Sequence, residues 1–101
     1  MRRFELKDGT LLVVDDLYWD AEEDFQKVVD ELLRSPQQTL VIDLSRVNFI
    51  FSPFVGHIVR FCMVARETGK TPRIIVNRQI EALFASSGLA AELPITTAVS
   101  S

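Results

Sequence analysis

"TLVIDLSRVNFIFSPFVGHIVRFCMVARETGKTPRIIVN", residues 39–77, decides the fold. It opens on a β-rich run at 39–45 that is nearly all apolar, as a strand covered on both faces would be. Ser52 and Pro53 then begin a segment whose apolar residues recur at helical spacing as far as Thr68, and Gly69 supplies its C-terminal stop. "RIIVN" (73–77) reads as a second buried strand. A strand, a helix and a strand joined by short links make a right-handed crossover between parallel neighbours.

The flanks extend this unit. Upstream, residues 3–7 alternate around Phe4 and Leu6, and "LLVV" follows "KDGT". Asp8-Gly9 is a hairpin turn signal, because both central positions of that turn need positive φ. Two antiparallel strands are therefore expected, about 2–7 and 10–15. Asp20 is expected to cap a helix, with Glu23 completing a capping box. Ala21, Phe25, Val28 and Leu32 form its inward stripe, widened by Val29 and Leu33, and Ser35-Pro36 ends it. Downstream, "NRQIEALFASSG" is a short helix with Asn77 as cap, Ile80, Leu83 and Phe84 inward, and Gly88 as terminator. A last strand falls near 93–97, and the final residues are expected to fray. The order β-β-α-β-α-β-α-(β) predicts an α/β fold with a mixed, mostly parallel sheet of four to five strands led by a hairpin. No repeat, linker or low-complexity segment interrupts it, so 1–101 reads as one domain.

Bulk properties narrow the function. A composition 48% hydrophobic and 25% charged is ordinary globular usage. The single cysteine, Cys62, excludes an internal disulfide and suits a reducing compartment. "MRRFELKDG" has no apolar core of the kind a signal peptide needs. The longest nearly uncharged run, 47–59, is too short to span a bilayer. A net charge of −3 disfavours nucleic acid, whose binders need clustered cations. The expectation is a cytoplasmic protein with no nucleic-acid partner and no direct membrane insertion.

The candidate chemistry is sparse. In open α/β sheets polar sites gather beyond the carboxyl ends of the strands, which here carry Asp15, Asp16, Ser45 and Asn77. These residues suit either a ligand rim or plain turn and cap chemistry. The lone histidine, His57, lies five residues from both Ser52 and Cys62. That is ~140° around a helix, so neither shares its face as a nucleophile–base pair would. No Cys/His spacing suggests a metal, no glycine-rich loop suggests a phosphate cradle, and no cofactor is implied. Cys62 sits mid-stripe with Val55, Ile58, Val59 and Ala65, as an inert core thiol would. An enzyme is not expected. An interaction surface is the better-supported reading. The helix from Ser52 is apolar around much of its girth, through deep burial or because Phe51, Phe54 and Phe61 remain at the surface as a docking patch. Tyr18 and Trp19 form a second aromatic pair with the same two readings.

Taken together, "LVIDLSRVNFIFSPFVGHIV" (40–59), "IEALFASSGL" (80–89) and "DAEEDFQKVVDELL" (20–33) resemble the STAS domain, the module shared by sulfate transporters and anti-sigma-factor antagonists. The resemblance lies in an apolar strand ending Asp-Leu-Ser, a small residue at Gly56 early in the second helix, and a later Leu-Phe–x–x–Ser-Gly-Leu. It implies a right-handed β–α superhelix and a non-enzymatic, bacterial protein-binding switch. In antagonists of this family a serine at the start of the second helix is phosphorylated by a partner that is both kinase and anti-sigma factor. The corresponding residue here is Ser52. By this resemblance the partner would bind through Phe51, Ser52, Pro53, Phe54, His57 and Phe61. The alternatives are a subunit bound to the cytosolic face of a transport ATPase and a small-ligand or anion binder. The chain departs from the family's Asp-Ser-Ser/Thr-Gly pattern: Phe51 replaces the acid, Pro53 the second hydroxyl and Phe54 the glycine. Pro53 suits the first helical position, so Ser52-Pro53 reads as a strong helix start with Ser52 as cap. The family's glycine before the first helix is also missing around "VVDDLYWD", and a closing helix would be truncated after Val99.

Overall fold

The computed structural model describes residues 3–86, 88 and 93–98. Its elements are β1 (Phe4–Lys7), β2 (Thr10–Val13), α1 (Glu22–Leu33), β3 (Thr39–Asp43), α2 (Pro53–Glu67), β4 (Thr71–Val76), α3 (Arg78–Ser86) and β5 (Ile95–Thr97). They build one five-stranded sheet in the order β1-β2-β3-β4-β5, antiparallel between β1 and β2 and parallel thereafter. This is the expected α/β architecture. The expected truncation of a closing helix after Val99 and the fraying of the last residues lie outside the described residues.

The hairpin forms for the reason its sequence suggests: Asp8 and Gly9 both take positive φ, 51° and 80°. Gly9 has a second constraint. A Cβ there would stand 2.9 Å from Cβ of Gln37, while the Gly9 carbonyl accepts from the Val41 N–H at 2.8 Å. The turn thus lies against the chain entering β3, which starts the β2–β3 register.

Because the strand order is sequential, right-handed crossovers carry all three helices to the same face of the sheet. Burial follows that geometry with a period of two. Leu11, Val13, Leu40, Ile42, Ile74 and Val76 are fully buried under the helices, whereas Leu12, Val41 and Ile75 on the other face are only half-buried. The expectation that these strands are covered on both faces is therefore corrected. The core lies between the sheet and the helices, with Phe25, Leu32, Phe54, Ile58, Phe61, Ile80 and Phe84 as its helical side.

Three further local expectations change. In α1 the buried stripe is Ala21, Phe25, Val29 and Leu32, and Val28 lies at its half-buried edge. Asp20 does not cap this helix. The chain enters through a single 3-10 turn at Trp19–Ala21, where the Ala21 N–H donates to the Tyr18 carbonyl at 2.9 Å and the Glu22 N–H to that of Trp19. Backbone carbonyls thus do the capping, and the Asp20 carboxylate instead meets the Arg3 guanidinium at 3.5 Å. In α3, Leu83 is partly exposed rather than inward. Asn77 does cap α3 as expected, its Oδ1 accepting from the Ile80 N–H at 2.9 Å. No helix among the described residues is long and apolar enough to cross a membrane.

Candidate functional site

Two connections meet beyond the carboxyl ends of the strands: 14–21, between β2 and α1, and 44–52, between β3 and α2. They are tied edge to edge. The Leu17 N–H donates to the Phe49 carbonyl at 3.0 Å and the Phe51 N–H to that of Leu17 at 2.7 Å, a parallel bridge pairing Leu17 with Ile50. Extended backbone sends alternate side chains to opposite sides. Leu17, Val47 and Ile50 are buried in the core, and at 49–51 the alternation turns Phe49 and Phe51 out on either side of Ile50. Tyr18 is left 48% exposed, Trp19 75%, Phe49 37% and Phe51 40%. Tyr18 stacks on Phe49 at 5.1 Å between ring centroids, and Phe49 meets Phe51 at 6.4 Å. The two aromatic groups are thus one surface, and Phe51 joins it directly to Ser52.

Helix α2 begins at the edge of this surface. Ser52 occupies its cap position, yet the cap chemistry expected of it is absent. Its backbone is helical (φ −54°, ψ −34°), and its hydroxyl makes no cap hydrogen bond. The Phe54 N–H donates instead to the Phe51 carbonyl at 3.0 Å and the Val55 N–H to the Ser52 carbonyl at 3.1 Å, while Pro53 has no N–H to satisfy. The result is an exposed serine whose side chain has no hydrogen-bond partner among the described residues. Pro53 is exposed beside it. Phe54 and Phe61, expected at the docking surface, are fully buried. Phe54 sits edge-on against Phe25 with centroids 5.2 Å apart, because α2 must direct its first turn at α1 to close the core. His57, one turn on, is half-buried over the same pair of phenylalanines, 6.0 Å from Phe54 and 6.5 Å from Phe25.

The sequence matches no family model and no curated protein. Among solved structures, it is similar to the anti-sigma factor antagonist SpoIIAA in its unphosphorylated form, with a TM-score of 0.72 at 16% identity over 95% of this chain and 86% of that one. It is likewise similar to an anti-sigma factor antagonist from Mycobacterium paratuberculosis, with a TM-score of 0.64 at 19% identity over 91% and 80% of the two chains. The fold is that of the anti-sigma factor antagonists.

Within this antagonist-like fold, the polar residues expected to form a rim are largely engaged by the loops themselves. Asp16 Oδ1 accepts from the N–H groups of Asn48 at 2.8 Å and Phe49 at 3.3 Å, holding the two connections together. Asp15 Oδ1 accepts from the Asp16 N–H at 2.8 Å. The Asn77 amide donates to the carbonyls of Ser45 at 3.1 Å and Val47 at 2.7 Å while its oxygen caps α3. Asn77 is thus the joint between the β3–α2 connection and α3. A shallow cleft of about 260 Å³ lies away from this rim, between Thr71, Arg73, Pro94 and Thr96.

His57 joins α2 to α1. Its Nε2 lies 3.3 Å from Glu22 Oε2 and 3.1 Å from Gln26 Nε2. The two contacts alternate: Nε2–H donates to Glu22, whereas a bare Nε2 accepts from the Gln26 amide. His57 is a helix-to-helix tie, with no serine or cysteine partner among the described residues. Cys62 is buried, and desolvation pushes its thiol up to about 11, with Arg66 opposing in part, so it is neutral at physiological pH. Phe49 was not legible as part of the surface, since "NFIFS" sets three large apolar residues in a row and their polarity does not say which of them faces the core.

Proposed function

We propose that the chain is a non-enzymatic regulatory domain that docks a partner protein on the surface around Ser52, in the manner of an anti-sigma factor antagonist. The observation that carries this reading is an exposed serine hydroxyl at the start of α2, without a hydrogen-bond partner among the described residues, beside four exposed aromatic side chains. Four large aromatics held at the surface by buried neighbours are the composition of an interface centre. The hydroxyl is where a modification would act on that interface. A phosphate on Ser52 would be tolerated by the fold, because a helix N-terminus favours an anion. The same group, carrying roughly −1.5 to −2 charges, would penalise burial of Phe51 and its neighbours against an apolar partner. The partner that fits this reading is an anti-sigma factor with serine-kinase activity, acting in the cytoplasm.

Capture from the native cell tests the proposal. The wild-type chain should recover a partner of that kind, Ser52→Asp should lose it, and Trp19→Ala with Phe51→Ser should lose it without loss of fold. Intact mass of the chain from the same cells should show an added phosphate that Ser52→Ala abolishes. Full recovery by the Trp19/Phe51 variant would refute the surface, and undiminished recovery by Ser52→Asp would refute the switch.

A further inference from the structure

We infer that a second copy of this chain pairs with the free edge of β1, antiparallel about a two-fold axis at Leu6, so that the two sheets run on as one. The inference is independent of the docking reading, which concerns the connections beyond the carboxyl ends of the strands. β1 lies at the end of the sheet and has β2 on one side only. In an antiparallel pair, hydrogen-bonded and non-hydrogen-bonded residue pairs alternate. The Val14 N–H donates to the Arg3 carbonyl at 3.0 Å, and the register runs from Phe4 opposite Val13 to Lys7 opposite Thr10. Arg3, Glu5 and Lys7 therefore turn their backbone groups to β2. Phe4 and Leu6 turn theirs to the free edge, where no described residue takes them.

The side chains of β1 divide by face in the same alternation. Phe4 and Leu6 stand on the helix-covered face, where Phe4 meets Phe25 at 5.9 Å between centroids, and both are only half-buried. Glu5 and Lys7 are exposed on the other face, and neither meets an opposite charge among the described residues. These positions select one register between two copies. An axis at Leu6 sets the two Leu6 residues opposite each other as a hydrogen-bonded pair, each N–H donating to the other's carbonyl. Each half-buried Leu6 side chain then gains its counterpart as cover. The same axis sets Glu5 opposite Lys7 of the second copy, twice, in the non-hydrogen-bonded pairs where facing side chains stand closest. Moving the axis to Glu5 or to Lys7 would set two like charges against each other. Charges on an edge strand ordinarily guard it against pairing. On β1 they exclude the neighbouring registers and favour this one.

Sedimentation equilibrium of the purified chain, at concentrations up to the millimolar, tests the pairing. The wild type should approach twice the monomer mass, and amide exchange at Leu6 should slow as the dimer forms. Glu5→Lys turns both cross-strand pairs into like charges and should weaken association roughly tenfold or more, as should Lys7→Glu. The double swap Glu5→Lys with Lys7→Glu should restore association to within about threefold of the wild type. An equimolar mixture of the two single variants should associate more tightly than either alone, because their charges are complementary. Both side chains are exposed, and far-UV circular dichroism checks that each variant is folded. A wild type that stays monomeric at millimolar concentration overturns the inference. So does a dimer that Glu5→Lys leaves unweakened, or one that the double swap fails to restore.

Discussion

Replacing Ser52 by alanine should leave stability almost unchanged, although serine before a Pro-initiated helix is a sequence pattern for a cap. A working serine cap contributes ~1 kcal/mol, because its hydroxyl accepts from an otherwise orphaned N–H of the first turn. In α2 those groups are already served: Phe54 by the carbonyl of Phe51 at 3.0 Å, Val55 by that of Ser52 at 3.1 Å, and Pro53 has none. The substitution keeps both carbonyls and removes an exposed hydroxyl that makes no cap hydrogen bond. The expected change is therefore within about 0.5 kcal/mol, the range of ordinary surface substitutions. Ser52→Asp should be neutral or gain a few tenths of a kcal/mol from the helix dipole. Urea unfolding followed by far-UV circular dichroism is the suitable assay, since Trp19 is already three-quarters exposed and would report unfolding poorly. A loss of 1 kcal/mol or more in Ser52→Ala, at unchanged m-value, would refute the reasoning and return Ser52 to the role of cap.

Phe54→Ala should cost about 3–5 kcal/mol and Phe51→Ala no more than about 1 kcal/mol, read by the same unfolding curves, because only the first leaves a cavity against Phe25. Asn77→Ala should cost about 2 kcal/mol, since it removes the α3 cap and frees the carbonyls of Ser45 and Val47, and hydrogen exchange in 44–52 should rise with it. The neutral Cys62 thiol favours the fold in full below pH 9.0, and this contribution, at most about 3 kcal/mol, is lost as pH rises through about 11. Wild-type stability should therefore fall more steeply over that window than that of Cys62→Ala.

Elements were legible in this sequence wherever one periodicity ran unbroken. The hairpin was readable from two residues, Asp8 and Gly9, because few other pairs tolerate two consecutive positive φ values. Helix α2 was readable because Ile58, Cys62 and Ala65 keep to one face, and Asn77 because a cap three residues ahead of Ile80 is a local device. What failed was the assignment of single side chains where the period changes. At 47–54 the chain passes from extended to helical backbone, so Phe51 obeys a period of two and Phe54 one of 3.6, and no single wheel places both. Asp20 and Ser52 failed for a related reason. Both are correct cap residue types, but in each case a tight turn lets backbone carbonyls serve the free N–H groups first. The joining of Tyr18 to Phe49 across 31 residues depends on the Leu17–Ile50 bridge, a tertiary contact without a local signal.

This division of labour bears on the departure from the usual antagonist motif. Phe51 and Phe54 both replace residues expected to be small or acidic, and their fates are opposite. Phe54 became part of the core, where it meets Phe25, so its replacement is answerable to stability alone. Phe51 points outward, 40% exposed, and adds an aromatic edge to a surface that already holds Tyr18, Trp19 and Phe49. Keeping such a residue at the surface costs apolar area exposed to water, about 25 cal/mol for each Å² left uncovered. Partner burial of that area would repay it. On the docking reading proposed above, the departure at 51 retunes the surface, whereas the departure at 54 concerns packing against Phe25.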